Sequence, residues 1–134
     1  MKIITRMIAD EVYEAVNENG NAVRIDMQPA EQKNGQSPVE LLLSALAGCG
    51  AVDIVSMLKK RKKTINTFVI ETTGTRQETM PRYFTHIHCK YIITSPDVNE
   101  EEATKVAALA LEKYCTVAAS LKSEVTFSIQ INRV

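Results

Sequence analysis

The sequence has no tryptophan, and only three phenylalanines and four tyrosines among its 134 residues. Aromatic platforms for stacking single-stranded nucleic acid are therefore not evident. It has no net charge, with 16 basic and 16 acidic side chains. The basic excess of a general nucleic-acid binder is missing. Five glycines and four prolines are too few for a collagenous chain. Three cysteines are too few, and odd in number, for a secreted disulfide framework. The opening MKIITRM holds no apolar signal core, so a cytoplasmic protein is expected. There is no glycine-rich phosphate loop, no Gly-x-Ser-x-Gly elbow and no Cys-x-x-Cys pair. No cofactor is expected.

What is present is ordinary for a globular chain: 45% apolar and 24% charged residues. The length fits one domain over residues 1–134, large enough to bury a core without staples. Lys2 to Ile8, Val12 to Asn17 and Ala22 to Gln28 read as strands, with Asn19-Gly20 as a hairpin signal. Pro29 to Gln36 reads as a loop. Ser37-Pro38-Val39-Glu40 is a helix start, with Ser37 as cap, Pro38 in the first turn and Glu40 completing a capping box. Residues 41–58 are apolar on almost every face, which predicts a helix buried all round. The span is near membrane length, but Glu40 and Asp53 lie in it and its small residues suit helix packing. No membrane is expected. Lys59 to Lys63 reads as the cationic C-terminal turn of that helix, with an anionic partner as the other reading.

Thr67 to Gln77 and Tyr83 to Thr94 read as strands. In the second, strict alternation places Tyr83, Thr85, Ile87, Cys89, Tyr91 and Ile93 on one face and Phe84, His86 and His88 on the other. Asn99 before three glutamates starts a second, amphipathic helix. Cys115-Thr116 interrupts it, a short turn of helix follows, and Val125 to Ile131 is a final strand. The order is βββ-α-ββ-α(α)-β, an α+β fold.

Three features carry potential chemistry. Cys49 sits between Gly48 and Gly50, which leaves its sulfur accessible. A reactive thiol there needs a cation from elsewhere, since none is local. Asp53, one turn on, would raise the thiol pKa. Cys115 lies 66 residues further along. Buried free cysteine is also common core filler, so both readings stand at this point. His86 and His88 share a strand face and offer two metal ligands, without a third; no metal site is expected.

The run Ser37-Pro38-Val39-Glu40-Leu41-Leu42-Leu43-Ser44-Ala45-Leu46-Ala47-Gly48-Cys49 resembles the signature helix of the OsmC-like family, which includes organic hydroperoxide resistance proteins. The stretch Leu111 to Ala118 around Cys115 resembles the family's second cysteine segment. The resemblance implies an OsmC-like fold and an intertwined homodimer with a long central helix buried at its core. It implies a cysteine-dependent hydroperoxide reductase, with Cys49 peroxidatic and Cys115 resolving through a disulfide that a dithiol reductant opens. The other reading is a protein that binds a small apolar ligand in the same fold without peroxidase turnover. Val39 stands where studied members carry a glutamate that pairs with an activating arginine, and Thr116 stands where they carry proline. Glu40, Arg24 and Arg6 are the candidates for the supporting acid and cation.

Overall fold

A computed structural model describes all 134 residues. The chain divides into two compact units, Met1–Leu42 and Leu43–Val134, with the boundary inside the first helix. Its element order follows the sequence pattern, three strands, a helix, two strands, helix and strand.

The first unit is an antiparallel meander of β1 (Ile4–Ala9), β2 (Val12–Val16) and β3 (Ala22–Asp26). The β2–β3 turn forms because Asn17 Oδ1 accepts from the backbone N–H of Asn19 and Asn21, at 3.1 and 2.8 Å. Gly20 takes the φ of 86° that the turn requires. Every residue of β1 is exposed, including Ile4, Met7 and Ile8. Pro29 to Gln36 is a loop with one 3-10 turn, Ala30–Gln32.

Asp26 ties this loop to the sheet. Its carboxylate is fully buried and accepts from the backbone N–H of Gln28 at 3.0 Å and of Asn34 at 2.9 Å. Arg24 Nε adds a third bond at 3.3 Å. The two backbone donors, Asn34 foremost, hold the Asp26 pKa below the usual carboxylate range. A depressed folded-state pKa contributes stability above the unfolded pKa and loses it as pH falls through the folded value. Acid titration is therefore expected to erode stability below about pH 4. In Asp26→Asn the urea midpoint is lower at neutral pH, and its gap from the wild type narrows as the pH is lowered.

Helix α1 (Pro38–Lys60) opens with the predicted capping box. Ser37 Oγ accepts from Glu40 N at 3.3 Å, and Glu40 Oε1 accepts from Ser37 N at 2.9 Å. Lys59 and Lys60 fill the last turn at the negative end of the dipole. Beyond it, Arg61 and Lys63 reach Glu102 at 3.5 and 3.4 Å, and Lys63 donates to the Asp97 carbonyl. Two of the five basic residues are thus tied to the start of the second helix.

In the second unit, β4 (Thr67–Arg76), β5 (Phe84–Thr94) and β6 (Glu124–Asn132) form one sheet in that order. β4 and β5 are antiparallel, and β6 runs parallel to β5. The parallel pairing needs a crossover, which α2 (Glu100–Leu109) and α3 (Thr116–Ala119) supply. Ile87, Cys89, Tyr91 and Ile93 face the core as the alternation predicts. Phe84 does not follow it. A register shift between Thr75 and Arg76 pairs Thr75 with His86 but Arg76 with Phe84. The irregularity turns Phe84 inward and leaves Thr85 exposed.

Phe84 packs against Gly74, where an added Cβ would collide with the edge of its ring and crowd Leu43 at 3.2 Å. Gly74→Ala is expected to cost about 1–3 kcal/mol by overpacking, read from urea denaturation.

The α1 helix buries a single stripe within one chain: Leu46, Gly50, Ile54 and Leu58, spaced four apart. Val52 is 70% exposed, although the helix is long and apolar enough to cross a membrane. The expected burial on all faces is therefore not reached within the chain.

Candidate functional site

Cys49 lies midway along α1 and is partly exposed, one residue before the buried stripe at Gly50. Gly48, before it, faces open space.

Cys115 reaches the same place by a different route. Asn99 caps α2, its Oδ1 accepting from Glu102 N at 2.8 Å, with three glutamates in the first turn. The helix then widens into a π-helical turn over Ala110–Tyr114, closed by Cys115 N donating to the Ala110 carbonyl at 2.8 Å. Such turns recur at functional positions. Cys115 itself is extended, and its sulfur accepts from Ala118 N at 3.4 Å. It takes the capping place that serine or aspartate usually fills. Thr116 is then the first residue of α3, the position where proline is also favoured. Threonine there leaves this start of the helix intact.

The two thiols are neighbours. Burial pushes the Cys115 thiol up from its ordinary pKa, and the hydrogen bond and charge of Cys49 push it further. The backbone N–H groups of Ala118 and Val117 oppose this. Both sulfurs are free, with no bond between them. Two thiols so placed are able to close into a disulfide when one is oxidised.

A third group, which the sequence marks only as one of the apolar row of β5, lies against the residue after Cys49. Tyr91 on β5 is fully buried, flanked by the tilted rings of Phe68 and Phe127 at centroid distances of 5.9 and 6.1 Å. Its hydroxyl has no hydrogen-bond partner. Left unpaired, such a group costs about 1–3 kcal/mol. It rests against Gly50, 3.1 Å from where a Cβ would stand. Burial, first, and then the nearby Cys89 and Cys115 sulfurs hold its pKa far above the ordinary phenol range. A buried tyrosine in the apolar row of β5 was the available signal, but the row alone reads as core.

Among the other candidates, Glu40 and Arg24 have partners of their own. Glu40 is committed to the Ser37 cap and to Lys33 at 3.5 Å, and the Ser37 N–H foremost lowers its pKa. Arg24 is paired with Asp26. Arg6 stands opposite Glu14 in the β1–β2 ladder. Cys89 is buried in the sheet, where burial raises its pKa. His86 and His88 bond hydroxyls of β6: both rings reach Thr126 Oγ1 at 2.8 Å, and His88 Nε2 reaches Ser128 Oγ at 2.9 Å. No three metal-ligating side chains cluster.

The model of the OsmC-like protein family matches residues 30–130, the stretch that holds both Cys49 and Cys115. Protein YhfA of Escherichia coli is 33% identical over 113 residues, 84% of each chain. Among solved structures, an OsmC-like protein from Mycoplasma pneumoniae superposes with a TM-score of 0.80 at 22% identity, covering 99% of this chain and 96% of that one. The organic hydroperoxide resistance protein OhrB of Bacillus subtilis gives a TM-score of 0.62 at 15% identity, covering 98% of both. At those identities the two structures speak for the fold. With the sequence matches, they show that this chain belongs to the OsmC-like family.

Proposed function

We propose that the protein is a thiol-dependent hydroperoxide reductase, with Cys49 as the peroxidatic thiol and Cys115 as the resolving one. The observation that carries this reading is the meeting of two thiols 66 residues apart, one partly exposed and one buried. Cys49 attacks the peroxide oxygen, so that thiol and hydroperoxide become sulfenic acid and alcohol. The Cys115 sulfur then displaces the hydroxyl from Cys49, and the thiol proton leaves with it as water. A dithiol reductant returns both thiols by exchange and is itself oxidised to a disulfide. Family members named as organic hydroperoxide resistance proteins support the substrate class.

The two compact units act as one OsmC-like domain, and the working form is a homodimer. The uncovered side of α1 supports this, with an apolar groove of about 550 Å³ lined by Ala51, Val52, Val55, Ser56 and Lys59. Large exposed patches of this kind mark protein contacts. The protein belongs in the cytoplasm, where thiols stay reduced.

A second reading is a binding protein for a small apolar ligand. It is favoured by Arg24 being held at Asp26 and by the raised pKa of the Cys115 thiol. Turnover separates the two readings. With cumene hydroperoxide and excess dithiothreitol, the reductase consumes many equivalents of peroxide per chain. A binding protein consumes no more than its own thiols can reduce.

A further inference from the structure

We propose that His86 and His88 chelate a divalent transition-metal ion, of the imidazole-preferring class of zinc and copper, on the face of the β4–β5–β6 sheet turned away from the core. The site is independent of the roles given to the two thiols.

Two ring nitrogens converge on one point. Strand alternation puts both imidazoles on the face opposite Ile87, Cys89 and Tyr91, and both are half-buried there. His86 Nε2 and His88 Nδ1 each lie 2.8 Å from the same atom, Thr126 Oγ1. A modest turn of the rings brings both within the roughly 2.0–2.1 Å of a shared zinc ion. Thr126 has a single hydroxyl proton, so it satisfies at most one of the two nitrogens as donor. A cation between the rings is bound by the lone pair of each. The remaining ring proton of His88 then sits on Nε2, which lies 2.9 Å from Ser128 Oγ. A contact of that kind orients a ligating imidazole and fixes its tautomer.

The pairing of β5 with β6 supplies what the pattern within β5 lacks. Glu124 stands opposite His86 in the parallel register and is exposed. Its carboxylate does not join the imidazoles in the resting chain, but its side chain is long enough to turn toward an ion held at His86. On the other side, Thr75 and Thr73 of β4 stand opposite His86 and His88 and are exposed, so water reaches the site to complete the shell. Lys90, next along this face, has Glu71 opposite it. Imidazole ligands select zinc, copper and nickel over magnesium and calcium, which take oxygen.

The chain has only two histidines, so imidazole proton–nitrogen correlations in an NMR spectrum report this site alone. The titration uses Cys49→Ser/Cys115→Ser protein, in which those two thiols cannot compete for metal. Added zinc chloride is expected to shift both imidazoles in parallel, with saturation at one ion per chain. Magnesium chloride at the same concentrations leaves both where they were. In His88→Gln, the zinc concentration that half-saturates the His86 signal rises at least about tenfold, because the second ligand no longer acts at high effective concentration. His86→Gln does the same to His88. Zinc that shifts neither ring overturns the proposal. So does a His86 signal that saturates in His88→Gln at the wild-type zinc concentration, since the two rings would then be separate sites.

Discussion

Cys49→Ser is expected to lower hydroperoxide consumption by about a thousandfold or more, the scale on which an enzyme loses its nucleophile. Serine keeps the size and the helix but not the chemistry. Its hydroxyl does not ionise at neutral pH, and oxygen is not oxidised by peroxide. Cys115→Ser is expected to behave differently. The first oxidation at Cys49 proceeds, but the sulfenic acid has no thiol to close on and persists or is over-oxidised. One equivalent of peroxide is then consumed quickly in the first turnover. Cys89→Ser leaves turnover within about twofold, because Cys89 is sealed in the sheet. Peroxide assays on the three variants check the pattern. Equal activity in Cys49→Ser and the wild type would remove the basis for the assignment.

Val52→Asp is expected to raise the dimer dissociation constant by at least about a hundredfold. Val52 is the most exposed large apolar side chain of α1 and lines its open groove. In a two-fold symmetric contact each substitution is made twice. Burying two unpaired carboxylates costs several kcal/mol, and about 2.7 kcal/mol is already a factor of one hundred. Sedimentation velocity across a dilution series reads the shift. Because Val52 is exposed in the single chain, the variant's monomer keeps its fold. Wild-type protein that sediments as a monomer at every concentration would contradict the role given to this face.

Much of the fold was legible from local signals. Asn19-Gly20, the Ser37–Glu40 box and the Asn99 cap are encoded within a few residues, and each forms as read. What escaped depends on distant partners. The turn of Phe84 into the core comes from a register shift against β4, which no alternation within β5 reveals. The parallel pairing of β5 with β6 is likewise a property of two segments thirty residues apart. The π turn before Cys115 is a packing result in a segment whose propensities are simply helical. Arg24, a candidate cation, bonds Asp26, whose burial two residues on leaves no pattern in the sequence. For the site itself, the cysteines were visible because a sequence pattern marks them. Tyr91 was not, because an unpartnered hydroxyl is a relation between atoms and leaves no pattern in the chain.

The most direct measurement is the intact mass of the protein after one equivalent of an organic hydroperoxide. The wild type is expected to lose two hydrogens, to keep one free thiol of its three, and to yield a linked pair of peptides carrying Cys49 and Cys115. A wild type whose three thiols stay reduced, or a link that joins Cys89 instead, would contradict the assignment of this pair.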